Sequence, residues 1–277
     1  MPVRIVQSKQ NARLKELRRA LAWPGRDPGA LAGIEGPNLV AEALRAGLRI
    51  ECVFVAQNAE RMLDSMALPP HTEVLLVPHE LLVSALDTET PQAVAALIQP
   101  PHWAWKQVLG GKQHRAALVI VLAGLQDPGN LGTILRSAEA FGATCVVSLP
   151  GTVSAWNAKA VRASAGSVFR VPLLAAAAEE CFRRLRECGA KIWTTAMREA
   201  ASVDEVDLSG PVALLIGNEG NGVPPDLAAL ADGALTIPCT GPVESLNAAT
   251  AAAILLYEAS WQRARNSLAK PTGAGAP

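Results

Sequence analysis

Apolar positions along the chain fall into two recurring patterns. Near the N-terminus, KQNARLKELRRAL places Leu14, Leu17 and Leu21 three and four residues apart. That spacing predicts a helix with its charged residues on the other faces, and Ser8 stands where an N-cap is expected. GIEGPNLVAEALRAG then reads as a turn entering a helix, IECVFVA as a strand, and EVLLVPHELLVSAL as a strand and helix. Residues 1–98 are therefore expected to form a small α/β domain. QPPHWAWKQVLGGKQHRA follows, without periodicity and rich in breakers, so 99–115 reads as a linker. A second pattern covers 116–268. ALVIVLAGL, TCVVSLP, FRVPLL, KIWTTA, PVALLIG and ALTIPC read as strands. Between them lie DPGNLGTILRSAEAFG, SAWNAKAVRASAG and AEECFRRLRECG, which read as helices. SLNAATAAAILLYEASWQRARNSL predicts a long final helix. Strands alternating with helices imply a mostly parallel sheet covered on both sides. Residues 269–277, ending in PTGAGAP, read as a disordered tail.

Composition sets limits on function. Half of the 277 residues are hydrophobic and the formal net charge is zero, so the chain as a whole advertises no polyanion partner. The charge is uneven, however. Up to Arg26 there are seven basic residues and one acid, Glu16. Local excess of this kind marks a candidate nucleic-acid surface, with Lys9, Arg13, Lys15, Arg18 and Arg19 as the residues meeting phosphate. Cys52, Cys145, Cys181, Cys188 and Cys239 form no C-x-x-C pair. Their odd number and the lack of a signal-like N-terminus suggest buried thiols in a reducing cytoplasm, without disulfides or zinc. No apolar run approaches the ~18 residues of a membrane span.

The chemistry is concentrated at three strand ends. Neither a G-x-x-x-x-G-K-[ST] phosphate loop nor a G-x-G-x-x-G dinucleotide turn is present, which argues against a nucleotide-dependent oxidoreductase. The four histidines are scattered and none follows His114, so metal ligation is not expected. The strand ends carry N-x-G-x-x-x-R from Asn130 to Arg136, IGNEGNG from Ile216 to Gly222, and IPCTGPVESLNA from Ile237 to Ala248. Singly, each has an ordinary reading: a turn, a solvated cation, a helix cap. In the second, Gly217, Gly220 and Gly222 surround one acid, Glu219. Glycine permits unusual backbone angles and close approach of a ligand to the main chain.

In this order the three segments resemble the signature motifs of the SpoU (TrmH) family of RNA 2′-O-ribose methyltransferases, within the SPOUT superfamily. GIEGPNLVAEALRAG and TPQAVAALI resemble, more loosely, that family's N-terminal substrate-binding domain, which is similar in fold to a ribosomal protein. The resemblance implies an RNA-binding α/β domain followed by a SPOUT-type α/β domain with a mostly parallel sheet and a trefoil knot. It implies S-adenosylmethionine as cofactor, held largely by main-chain groups of Gly217, Ile237 and Leu246, with Asn218 and Gly220 beside them. It implies a homodimer joined through the knot region, and RNA as substrate, 23S ribosomal RNA ahead of transfer RNA. A non-catalytic RNA-binding module is the alternative from another class.

By the same resemblance, Arg136, Asn130, Ser245, Asn247 and Glu219 are the catalytic candidates. The family role for Arg136 is the base acting on the 2′-hydroxyl. Its chemistry favours clamping the neighbouring phosphate, because a guanidinium stays protonated in proteins. Asn130 and Asn247 are expected to orient the hydroxyl or Arg136, and Ser245 to hydrogen-bond the phosphate or the arginine. Glu219 is expected to orient an arginine as its ionic partner, or else to serve the structure of its loop.

Overall fold

The computed structural model describes residues 3–22, 29–86, 88–109, 116–196, 200–243 and 245–269. The chain forms two compact units, Met1–His102 with Ser154–Arg170, and Trp103–Val153 with Val171–Pro277.

The first unit begins with β1 (Val3–Ile5), α1 (Ala12–Ala22), β2 (Ala32–Glu35), α2 (Pro37–Arg45) and β3 (Ile50–Ala56). After a 3-10 helix, Gln57–Ser65, come β4 (Glu73–Val77), α3 (His79–Val83) and β5 (Val94–Ile98). The sheet order is β1-β4-β3-β5-β2, parallel across β1, β4 and β3 and antiparallel on to β5 and β2. Strand β3 lies in the middle and five of its seven residues are buried in succession, from Cys52 to Ala56. That burial on both faces explains why IECVFVA is a continuous apolar run instead of an alternation. Leu14 and Leu17 of α1 pack on Phe54, Leu82 and Leu97. The cap of α1 is Asn11, not the expected Ser8: its Oδ1 accepts from the N–H groups of Arg13 (2.9 Å) and Leu14 (3.3 Å). The turn expected at GIE is strand β2, all four of whose residues are buried. Four residues, all buried, are too few for a strand period to show.

The second unit opens with α4 (Trp105–Leu109), inside the stretch expected to be a structureless linker. Val108 is buried in this unit's core, which is why the tryptophan-rich segment folds. Residues 110–115 lie outside the described set. Next are β6 (Leu118–Leu122), α5 (Pro128–Ala140), β7 (Cys145–Ser148), α6 (Ala158–Ala163) and β8 (Leu173–Ala175). Then come α7 (Ala178–Glu187), β9 (Lys191–Thr195), β10 (Ala201–Ser202) and β11 (Val212–Ile216). The last elements are α8 (Pro225–Ala228), β12 (Gly233–Thr236) and α9 (Ala248–Ala269). The sheet order is β10-β12-β9-β11-β6-β7-β8 and every pairing is parallel. All residues of β6 and β11 are buried. The expected tail, from residue 270 onward, lies outside the described residues, while Ala269 closes α9.

Helix α6 and the 3-10 turn Ser167–Phe169 group with the first unit, although they fall between β7 and β8 in sequence. Arg170 Nη1 reaches Glu42 Oε2 of α2 at 2.7 Å. Gly166 sits at φ +89°, and a Cβ there would come within 2.7 Å of Glu42 Cβ, so glycine is required. FRVPLL, expected as one strand, is divided: Phe169 is buried and stacks on Trp156, and only Leu173–Ala175 pairs with β7.

Candidate active site at the carboxyl edge of the parallel sheet

Strands β6 and β11 are neighbours, and the chain leaves β6 toward β7 on one side while β9 lies on the other. The loops at their carboxyl ends therefore meet at a switch in strand order, the usual ligand crevice of an open parallel sheet. The IGNEGNG loop doubles back on itself. Asn218 N–H donates to Gly222 O and Gly222 N–H to Asn218 O, both at 2.9 Å. Gly222 takes φ +67° to close the turn. At Gly217 a Cβ would lie 2.0 Å from Gly222 C and 2.1 Å from Val223 N. That glycine is needed first by the loop's own fold. Gly220 is different: it has ordinary space and no left-handed φ.

Three candidates from three separate segments converge. Glu219 Oε1 accepts from Asn130 Nδ2 at 3.0 Å and from the Asp127 N–H at 3.0 Å, while Oε2 accepts from the Gln126 N–H at 3.2 Å. Asn130 Oδ1 in turn accepts from Asn247 Nδ2 at 2.9 Å. Asn247 Oδ1 accepts from the N–H groups of Ala249 (2.9 Å) and Thr250 (3.2 Å), capping α9. One chain of hydrogen bonds thus runs from the loop after β11, through the start of α5, to the start of α9. Partial burial works to raise the Glu219 carboxyl. The hydrogen bonds from Asn130, Asp127 and Gln126 outweigh it and hold the group below the usual glutamate range.

Within the chain, Glu219 is engaged by amide groups. Its partners are amide N–H groups, and no arginine bonds to it among the described residues. Two of those groups, the main-chain N–H of Gln126 and Asp127, were not anticipated. The signal was present in D-P-G-N. Asp127 caps α5, accepting from Gly129 (3.1 Å) and Asn130 (3.3 Å), and Pro128 occupies the first turn. Asn218 also braces the crevice, donating from Nδ2 to Gly124 O at 3.0 Å and accepting from the Gly220 N–H at 2.8 Å.

Arg136 and Ser245 are exposed, and neither makes a hydrogen bond or ion pair among the described residues. Ile237 and Leu246 are half-buried at the same edge, just after β12 and just before α9. The main-chain polar groups of Leu246 and of buried Gly217 find no hydrogen-bond partner among the described residues.

The N-terminal basic residues are placed unequally. Lys9, Lys15 and Arg19 are exposed. Arg18 donates from Nη2 to Ser84 Oγ at 3.3 Å. Arg13 is already engaged twice, by Glu16 (2.8 Å) and by Glu73 (3.0 Å), which also faces Arg4 at 3.5 Å. Glu73, 60 residues from Arg13, thus offsets part of the basic excess read from the N-terminal segment alone. Of the thiols expected to be buried, Cys52, Cys145 and Cys181 are; Cys188 is half-buried and Cys239 exposed, and none is bonded to another. No group of three potential metal ligands occurs among the described residues, and no described helix is long and apolar enough to cross a membrane.

The geometry agrees with what the chain is similar to. Residues 117–257 match the SpoU rRNA Methylase family and residues 11–96 the MRM3-like substrate binding domain. A relative from Bacillus subtilis, named 23S rRNA (guanosine(2553)-2′-O)-methyltransferase RlmP, is 32% identical over 91% of this chain and 97% of its own. A crystal structure described as an AdoMet-bound rRNA methyltransferase from Sinorhizobium meliloti is 30% identical, with a TM-score of 0.79 over 93% of this chain and 97% of that one. The SpoU methyltransferase AviRb from Streptomyces viridochromogenes, in complex with AdoMet, is 26% identical, with a TM-score of 0.78 over 92% and 99%. With its signature segments joined by the Glu219–Asn130–Asn247 hydrogen bonds, the chain belongs to the SpoU rRNA methylase family.

Proposed function

We propose that this protein transfers a methyl group from S-adenosylmethionine to a ribose 2′-hydroxyl of ribosomal RNA, 23S rRNA being the substrate class its relatives point to. The observation that carries the reading is the hydrogen-bond chain Glu219–Asn130–Asn247 at the carboxyl edge of the parallel sheet. S-adenosylmethionine, when bound, supplies an electrophilic methyl on a sulfonium. The protein must then position the hydroxyl in line and remove one proton. Gly217, Ile237 and Leu246, with Asn218 and Gly220 bracing their loop, would hold the cofactor. Glu219 fixes the Asn130 amide by accepting from its Nδ2. That leaves Asn130 Oδ1 as the acceptor facing Asn247, so the loops keep one mutual geometry.

Arg136 and Ser245 take the RNA. A guanidinium with no partner among the described residues suits a bidentate grip on the phosphate beside the target ribose. On the first unit, Lys9, Lys15, Arg18 and Arg19 are the residues that would meet phosphate. The knot and the homodimer belong to the same reading. The dimer is supported by an exposed aromatic ladder: Tyr257 stacks on Trp261 at 6.5 Å and meets Phe141 edge-on at 5.8 Å, with Tyr257 and Trp261 about half exposed. Light scattering that returned a monomer mass would refute it.

Arg136→Lys tests the chemistry. It keeps the charge and loses the planar fork. If Arg136 clamps and positions, single-turnover methylation falls by about a hundredfold, as expected for a misplacement of about 1 Å, and the pH–rate profile keeps its shape. If Arg136 is the proton acceptor, the profile moves down with lysine's pKa near 10.4. An unchanged rate removes this loop from the active site.

A further inference from the structure

We propose that the first unit carries a pocket for an unstacked nucleotide of the RNA, guanine by preference. Glu35 would take the donor edge of the base and the start of α2 the adjoining phosphate. This inference rests on RNA being the substrate.

Glu35 is the last residue of β2 and is 7% exposed. Its Oε1 is fully occupied, accepting from Thr88 Oγ1 at 3.0 Å and from the Gln92 N–H at 2.8 Å. Its Oε2 is buried and has no hydrogen-bond partner among the described residues. The nearest cation, Arg162 Nη1, stands 4.0 Å away, inside ion-pair range but too far for a hydrogen bond. Burying a carboxylate oxygen without a donor is costly, and such groups in native proteins call for an explanation. Glu35 lines a cavity of about 810 Å³, a size typical of small-ligand pockets, together with Gly36, Asn38, Arg45 and Arg162.

The other end of the cavity is built for an anion. Helix α2 has nine residues, and its N-cap Gly36, at φ +101°, provides no side-chain cap. Pro37 has no N–H, and the N–H groups of Asn38 and Leu39 have no partner among the described residues. Uncapped first-turn donors together with the helix dipole favour a phosphate. Arg162 is about half exposed on the same cavity. Of the other acids there, Glu42 is already neutralised by Arg45 at 2.6 Å and Arg170 at 2.7 Å, which among the described residues leaves Glu89 on the rim.

A ligand with N–H donors at one end and an anion at the other describes a nucleotide. Guanine fits best because its N1–H and 2-amino group lie side by side, and Oε2 offers two acceptor sites. RNA-binding proteins commonly read unstacked bases on these edges. A divalent cation fits poorly, since no three potential ligands cluster among the described residues.

The test is calorimetric titration of the full chain, saturated with S-adenosylhomocysteine to block the cofactor site, with guanosine and inosine monophosphates. Inosine lacks only the 2-amino group. Guanosine monophosphate should bind about tenfold more tightly, the worth of one hydrogen bond to a charged acceptor. Glu35→Gln, which replaces the free acceptor by an amide donor, should bring the two nucleotides within about twofold. Arg162→Ala, at an exposed site, should weaken both equally. Equal binding of the two nucleotides to the wild type, or a preference that survives Glu35→Gln, overturns the pocket. If Glu35→Gln does not fold, the wild-type comparison and Arg162→Ala still decide. Methylation of ribosomal RNA is measured in parallel. Methylation without a guanine preference sinks the pocket alone; a guanine preference without methylation sinks the enzymatic reading and leaves the pocket standing.

Discussion

Glu219 is the residue on which the candidate site turns. It is an exposed side chain, yet it collects three N–H donors from Gln126, Asp127 and Asn130. Glu219→Gln keeps the shape and removes one acceptor, setting an amide N–H against a main-chain N–H. We expect single-turnover methylation to fall about ten- to a hundredfold, through displaced loops, with the fold intact by circular dichroism. The carboxyl is held below its ordinary value, so its contribution to stability is complete above the unfolded pKa of about 4.3. It is lost as the pH falls through the lower folded value. The stability gap between wild type and Glu219→Gln should therefore close on acidification below about pH 4.3 and stay constant above about pH 6. A gap that widened in acid would contradict these hydrogen bonds. Arg136 is the opposite case: it is exposed and makes no hydrogen bond or ion pair among the described residues.

At the scale of elements, helix α1 shows how a charge pattern is divided between folding and binding. Its apolar side, Leu14, Leu17 and Ala20, is buried. Arg13 turns to Glu16 and Glu73 and serves the unit's own structure. Lys9, just before the helix, and Lys15 are exposed, and Arg18 is partly exposed with a neutral partner, Ser84. Replacing those three by alanine should weaken RNA binding. It should also lower the slope of log affinity against log salt by about 0.7–0.9 for each phosphate the protein no longer neutralises. Arg13→Ala should instead lower the melting temperature and leave the salt slope nearly unchanged. Filter binding across a salt series, with thermal melts of each variant, separates the two. Equal slopes for the triple variant and wild type would remove α1 from the RNA surface.

For the whole molecule, thiol chemistry reports on packing. Burial pushes Cys52, Cys145 and Cys181 up to about 12, leaving almost no thiolate at neutral pH. Titration of the native protein with a thiol reagent should label Cys239 first, Cys188 more slowly, and the other three only in denaturant. Fast labelling of Cys145, which lies in β7 in the middle of the second unit's core, would be incompatible with this packing. No disulfide is expected at any stage.

The sequence by itself determined much of this protein. Long apolar runs such as IECVFVA and PVALLIG declared strands buried on both faces, and the order of strands and helices declared a parallel sheet. Its three motif segments declared a family, because each couples residue types to spacings that ordinary turns do not need. What it could not determine were pairings between residues far apart in the chain. Nothing near Glu219 shows that its partners sit about ninety positions earlier, and nothing near Arg13 shows Glu73. Short edge elements escaped for a related reason: β1, β2 and β10 have two to four residues each, too few for a period to show. Gly217 and Gly166 are both glycines in which the sequence shows only a missing side chain. Only the tertiary structure decided that one is demanded by its own loop and the other by the stem of Glu42, because excluded volume is a property of what the fold brings near.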